Sequence, residues 1–138
     1  MKFVLDTNVL VVAIRNRSGA SAEIVKSVLR NYITMIASVP LFLEYEEVLT
    51  RQEHLTAANA SVEEIVNLLN VLAAKVEPVE IRFFWRPQLK DADDEMVLEA
   101  AVNGQADAIV TFNTRDFLPH AVRFGIKVLT PRDVLRSM

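Results

Sequence analysis

Cysteine is absent from this 138-residue chain, which excludes disulfides, thiolate metal sites and cysteine nucleophiles together. Any metal ion must be held by oxygen atoms or by one of the two histidines, His54 and His120. Glycine is scarce, at three residues, and no low-complexity run occurs, so the composition is that of a globular chain and not a disordered one. No apolar run approaches the roughly 20 residues needed to span a bilayer. The opening residues carry neither a basic leader nor a small-residue cleavage site, so a cytoplasmic protein without membrane association is expected. A basic excess is also missing. Eighteen acids against fifteen bases give a net charge of −3, which taken alone argues against a nucleic-acid partner.

The distribution of charge weighs more than its sum. With Asp6, Glu44, Asp91, Asp94 and Asp116 set aside as candidate metal ligands, thirteen acids face fifteen bases, and an acidic pocket in a mildly basic surface becomes a coherent reading. Hydrophobic residues make up 51% of the chain. At this length one domain over residues 1–138 is expected, burying about two-thirds of its unfolded surface.

The first eight residues, MKFVLDTN, organise the rest. The apolar run Phe3–Leu5 is followed at once by Asp6, Thr7 and Asn8 and then by the apolar Val9 to Ile14, the pattern of a short buried strand whose polar end opens a helix. Asp6 either caps that helix or stands at the centre of a site, because ligands of open α/β sheets gather at the carboxyl ends of the strands. A helix over Val9 to Arg15 ends in the turn Asn16–Gly19, and an amphipathic helix then runs from Ser21 to about Asn31, with Ile24, Val25, Val28 and Leu29 on one face.

Thr34–Ser38 reads as a second buried strand. Pro40 suits a first helical turn, and a helix from near Leu41 carries Glu44, Glu46 and Glu47 beside the core stripe Leu41, Tyr45, Val48 and Leu49. Glutamates on a helix usually form a solvated face; Glu44, about one turn past Pro40 and close to the end of the preceding strand, is the one placed to do more. Ser61-Val-Glu-Glu64 is a capping-box signature opening a helix to about Lys75. Val79–Phe83 alternates as a strand would. Phe84, Trp85 and Arg86 either close the core or offer a platform to a nucleobase.

Lys90-Asp91-Ala92-Asp93-Asp94-Glu95 holds four acids in five residues, ahead of a helix that ends near Asn103-Gly104. One or two acids favour a helix amino terminus; four repel one another unless a cation sits among them. Asp107–Thr111 is a further strand, ending in Thr111-Phe112-Asn113-Thr114-Arg115-Asp116. Ile126–Leu129 is the last, and Thr130-Pro131-Arg132-Asp133 opens a terminal helix. Alternating strands and helices imply an α/β fold with a mostly parallel sheet covered on both faces. In such a sheet Asp6, Glu44, Asp94 and Asp116 can converge on one edge. Their hard oxygen donors suit Mg²⁺ or Mn²⁺ and hence phosphodiester hydrolysis.

VLDTNVL, EYEEVL, DADDEMVLEAA, and IVTFNTRDF followed by GIKVLTP resemble, in order and over the whole chain, the PIN-domain family, and within it the small single-domain ribonucleases of the VapC toxin type. The resemblance implies a three-layer α/β/α sandwich and a Mg²⁺- or Mn²⁺-dependent endoribonuclease. It further implies an RNA substrate, an antitoxin protein as inhibitor and a homodimer. Carried over by motif, Asp6, Glu44 and Asp94 are metal ligands, with Asp91 an alternative or outer one. Asp116 is the charged residue of the last motif, where Asn113 stands at a position that many relatives fill with Asp. Asn8, Thr111 and Asn113 would orient ligands, and Arg115, Lys90, Arg51 and Arg15 would meet RNA phosphates.

Two other classes gather acids at strand ends. A phosphotransfer receiver domain would want an accepting Asp at the end of a middle strand, and Thr34–Ser38 ends without one. A haloacid-dehalogenase-type phosphatase would want Asp where this chain has Asn8. The remaining rival is a PIN-like module that binds RNA or protein with weakened catalysis, which Asn113 keeps open.

Overall fold

A computed structural model describes residues 1–83, 89 and 91–138. Phe84, Trp85, Arg86 and Lys90, and with them the aromatic-basic platform, lie outside the described residues. The chain runs β1 (Lys2–Leu5), α1 (Thr7–Arg15), α2 (Ala20–Leu29), β2 (Thr34–Ser38), α3 (Val39–Leu49), α4 (Gln52–Ala58), α5 (Val62–Lys75), β3 (Glu77–Val79), α6 (Ala92–Asn103), β4 (Ala108–Val110), α7 (Thr114–Arg123), β5 (Lys127–Leu129) and α8 (Pro131–Arg136). The strands form one sheet in the order β3-β2-β1-β4-β5, and every pairing is parallel.

Helix α1 packs with α2, α3 and α4, and α2 with α5, while α6 packs with α7 and against β1, β2 and β4; with right-handed crossovers, the rule for parallel strands, this is the three-layer α/β/α arrangement expected. The strand order reverses beside β1, where the chain steps outward to β2 and β3 and then returns to β4. That reversal opens a crevice at the carboxyl ends of β1 and β4. The central strands are buried on both faces: Val4, Leu5, Ile36 and Ala108 to Val110 are wholly or almost wholly inaccessible. This accounts for their uninterrupted apolar runs.

Local chemistry sets the boundaries. Ser38 caps α3 by accepting from the Leu41 amide (3.3 Å), so the helix begins at Val39, two residues before the expected start. Ser61 and Glu64 close the capping box of α5, and Thr130 with Asp133 closes a second one on α8. The close approach of α6 to the sheet rests on Gly104. A Cβ there would come within 2.5 Å of Ile36 Cδ1, 2.7 Å of Val79 Cγ2 and 2.9 Å of the Ala100 carbonyl oxygen.

One expectation needs correction, and two helices, α4 and α7, are not anticipated from the sequence. The strand over Val79–Phe83 is instead β3 at Glu77–Val79, paired with Ile36–Ser38. Beyond Val79 the backbone leaves the sheet because a side chain satisfies it: Asn103 Oδ1 accepts from the amides of Arg82 and Phe83, each at 2.9 Å, and Asn103 Nδ2 donates to the Phe83 carbonyl at 3.1 Å. Phe83 is 60% exposed, so the alternation that mimics a strand buries nothing at that end. Helix α4, seven residues long and stopped by Asn59 in the left-handed region (φ 52°), is not foreshadowed by any capping signal. Helix α7 carries Pro119 in its interior. Proline denies the Arg115 carbonyl its helical partner, and because Pro119 is exposed that carbonyl can turn to water.

Candidate active site at the carboxyl edge of the sheet

Asp6 is the first residue past β1, and its backbone extends the ladder, the amide donating to the Val110 carbonyl at 2.9 Å. Thr111 does the same past β4, donating to the Leu129 carbonyl at 2.9 Å. The two residues therefore end adjacent strands side by side. Thr111 Oγ1 donates to Asp6 Oδ2 at 2.7 Å, and the Asn113 amide donates to Thr111 Oγ1 at 2.9 Å. Asp6 is 7% exposed and Thr111 is fully buried. A short relay thus fixes one carboxylate oxygen from behind.

The capping alternative for Asp6 is answered in two parts. Asp6 does occupy the N-cap of α1, its carbonyl accepting from the Val9 amide at 3.0 Å, but its carboxylate makes no capping hydrogen bond. Burial raises the Asp6 carboxyl above its ordinary range. The Thr111 hydroxyl and the nearby amides of Thr7 and Asn8 pull it back, and the charge of Asp91 pushes it up further.

Tyr45 holds α3 against this corner. It is fully buried, its hydroxyl donates to the Leu5 carbonyl, and its ring meets Phe42 edge-on with centroids 5.5 Å apart. Burial first, and then the Asp6 charge, push the phenol well above its ordinary value. The core stripe on α3 identifies Tyr45 only as a packing residue; its anchoring role beside Asp6 depends on where the hydroxyl points. Glu44, its half-buried neighbour, is raised by burial and then by Asp93, Glu47 and Asp91, while Arg51 opposes them.

The amino terminus of α6 supplies the densest charge. Asp91 is the N-cap, with Oδ1 accepting from the Asp93 amide at 2.8 Å, so one of its oxygens is committed to the helix. Asp94, one turn in and partly buried, is pushed from 3.8 to about 7 by burial and by the charges of Asp6, Asp91, Asp116 and Asp93, in that order. Asp116 lies exposed in the first turn of α7. Asp6, Asp91, Asp94 and Asp116 therefore share one field, and Glu44 joins it through Asp93 and Asp91. Asp93, which the motif reading does not use, is part of the same repulsion. Among the described residues no three acidic or histidine side chains stand close enough together to form a metal-holding group as they are. What the acids share in this arrangement is mutual repulsion, which side-chain rotation toward a cation would convert into ligation.

The supporting and basic residues are placed less uniformly. Asn8 Oδ1 is buried without a hydrogen-bond partner among the described residues, and Asn113 caps α7 with no side-chain capping bond. Arg115 is exposed in the same turn as Asp116 and forms no ion pair among the described residues. Arg51 is held by Glu47 at 2.8 Å beside Glu44. Arg15 is not gathered in: it ends α1, roughly 13 Å along the helix from Asp6, near His54 Nδ1 at 3.5 Å. Lys90 lies outside the described residues. No helix among those residues is long and apolar enough to cross a membrane.

No curated protein matches this chain. Among solved structures it resembles a chain of VapBC2 from Rickettsia felis, determined bound to a DNA fragment from their promoter. The TM-score is 0.66 at 16% identity, over 94% of this chain and 98% of that one, which shows a shared fold. The PIN domain family profile matches residues 2–115, the span that carries β1 with Asp6, α3 with Glu44, α6 with Asp94 and the end of β4. With the motifs in that order on one five-stranded parallel sheet, this chain belongs to the PIN-domain family.

Proposed function

We propose that this protein is a Mg²⁺- or Mn²⁺-dependent endoribonuclease, the toxin of a VapC-type toxin–antitoxin pair, acting on RNA phosphodiester bonds in the cytoplasm. What supports this reading is the placing of Asp6, braced by Thr111, near the acidic first turns of α6 and α7, a crowding of carboxylates that raises Asp94; a hard divalent cation would relieve it. Asp6, Glu44, Asp94 and Asp116 are the ligands in this reading, with Asp91 an outer one because its cap occupies one oxygen. The chemistry that such an ion supplies, when bound, is polarisation of the phosphodiester and activation of water.

The chain's own residues do the rest. Thr111 keeps Asp6 from turning away, and the Asn113 amide keeps Thr111 from turning away. Asn8 Oδ1 is a buried acceptor that no donor among the described residues satisfies. Arg115, exposed and without an ion pair among the described residues, is the base best placed to meet a phosphate.

Two surfaces favour protein partners. An apolar cavity of about 320 Å³ lies between α1, α2 and α5, lined by residues such as Leu10, Ile14, Val25 and Leu69 with Arg17 and Glu64 beside them; it suits an apolar side chain of an antitoxin. On α3 and α5, Leu43 and Val66 are both exposed and border one groove, which suits a second copy of this chain.

The test is incubation of purified protein with defined RNAs in Mg²⁺, in Mn²⁺ and in chelator, beside an Asp6→Asn variant. Metal-dependent cleavage that the variant loses supports the enzyme. RNA binding without cleavage supports the second reading, a PIN-like module with weakened catalysis, which the amide at Asn113 favours.

A further inference from the structure

We infer that Phe112 is a base-stacking residue that helps to set which nucleotide of single-stranded RNA lies beside the carboxylate cluster; the inference rests on the ribonuclease reading above. Phe112 sits between two residues tied to the site. Thr111 before it is fully buried and bonded to Asp6, and Asn113 after it donates its amide to Thr111. The backbone on either side is thereby fixed, yet the Phe112 side chain is 46% exposed. Ile109 and Val110, next along the same strand, are wholly buried, so the outward ring marks the point where the chain stops serving the core.

A large aromatic on a backbone fixed at the carboxyl edge of the sheet, one residue from a carboxylate relay, offers a flat apolar face with only two side-chain torsions to order. Three residues on, Arg115 places an exposed guanidinium at the start of the following helix. An aromatic ring and an arginine at the edge of an acidic pocket match one kind of ligand: an unpaired nucleobase with its phosphate. Stacking tolerates every base and favours the larger ring systems, so the expected preference is for a purine at one position of the substrate.

The test uses the full chain and a set of fluorescein-labelled single-stranded oligoribonucleotides, each with one abasic nucleotide at a different position. Affinity is measured in Ca²⁺ and cleavage in Mn²⁺. In the wild-type protein one abasic position should weaken binding at least about fivefold, the factor expected for one lost base–aromatic stack. Phe112→Ala should weaken binding of the intact RNA by a similar factor and should abolish the penalty at that position alone, while Phe112→Trp keeps both. Circular dichroism checks that the variants are folded. If the wild-type protein cleaves RNA but Phe112→Ala leaves affinity and positional profile within about twofold, the inference is overturned and the ribonuclease reading stands. Unchanged RNA affinity with altered self-association on sedimentation would overturn it too, assigning the ring to a protein interface. If the wild-type protein neither binds nor cuts any RNA, the ribonuclease reading falls, and the inference falls with it.

Discussion

Thr111 and Asp6 stand 105 residues apart in the chain and 2.7 Å apart in the fold, hydroxyl to carboxylate, at the ends of neighbouring parallel strands. Replacing Thr111 by Val keeps the shape and removes the donor. The Asp6 carboxyl should rise further, because the opposing hydrogen bond is gone, and Mn²⁺ affinity should fall by about 10- to 100-fold, as for other residues that orient a metal ligand. Calorimetric titration with Mn²⁺ reads this directly; an unchanged affinity would show that Asp6 needs no such support.

Tyr45→Phe should cost about 1–3 kcal/mol of stability, since the Leu5 carbonyl loses its buried donor while the ring stays. Urea unfolding measures it. A loss below about 0.5 kcal/mol would mean that water replaces the hydroxyl.

Asp94 contributes to the pH dependence of the metal-free protein, beside the likewise raised Asp6 and Glu44. Its carboxyl lies at about 7 in the fold against 3.8 as the ordinary value, so the folded state disfavours ionisation. Below pH 3.8 this costs nothing. Between about 4 and 7 the unfolded chain releases the proton more readily than the folded one, and stability falls as pH rises; above 7 the full penalty is present. The urea midpoint without metal should decline across that window, Asp94→Asn should flatten the decline, and Mn²⁺ should stabilise the wild-type protein more at pH 8 than at pH 5. A midpoint that rises from pH 5 to 8 in the wild-type protein alone would contradict the crowding.

Gly104→Ala should destabilise by about 1–3 kcal/mol, because the added methyl meets Ile36, Val79 and a backbone oxygen at once. Thermal denaturation gives the shift. A stability equal to wild type would show that α6 can back away from the sheet freely.

Arg115→Ala and Arg15→Ala should separate. The first should weaken RNA binding and reduce its salt dependence; the second, at the far end of α1, should leave both unchanged. Equal losses in titrations at two ionic strengths would place RNA across the whole α1 face.

Much of this arrangement is legible without coordinates. Buried strands announce themselves as apolar runs stopped by Asp6, Ser38 and Thr111, and Ser61 with Glu64 announces a helix start. The omissions have local physical causes. Pro119 masks α7, although Phe117 and Ala121 are spaced one turn apart on its buried side. Val79, Ile81 and Phe83 alternate like a strand, but Asn103 takes over the backbone bonds that a neighbouring strand would have made. Arg15 follows the first motif closely in sequence, and nine helical residues carry it away. That Tyr45 points its hydroxyl at Leu5, and that Asp91 spends an oxygen on a cap, depend on directions that spacing does not encode.

The order β3-β2-β1-β4-β5 also has a consequence for biosynthesis. Of the five strands the earliest in the sequence is the central one, and the neighbour that completes the corner at Asp6 is the fourth, its Thr111 lying 105 residues further on. A nascent polypeptide lacking β4 carries Asp6 without the Thr111 hydroxyl that braces it and without the strand beside it. The acidic corner therefore forms only once the long-range pairing of β1 with β4 has closed, which makes its assembly a late event in folding.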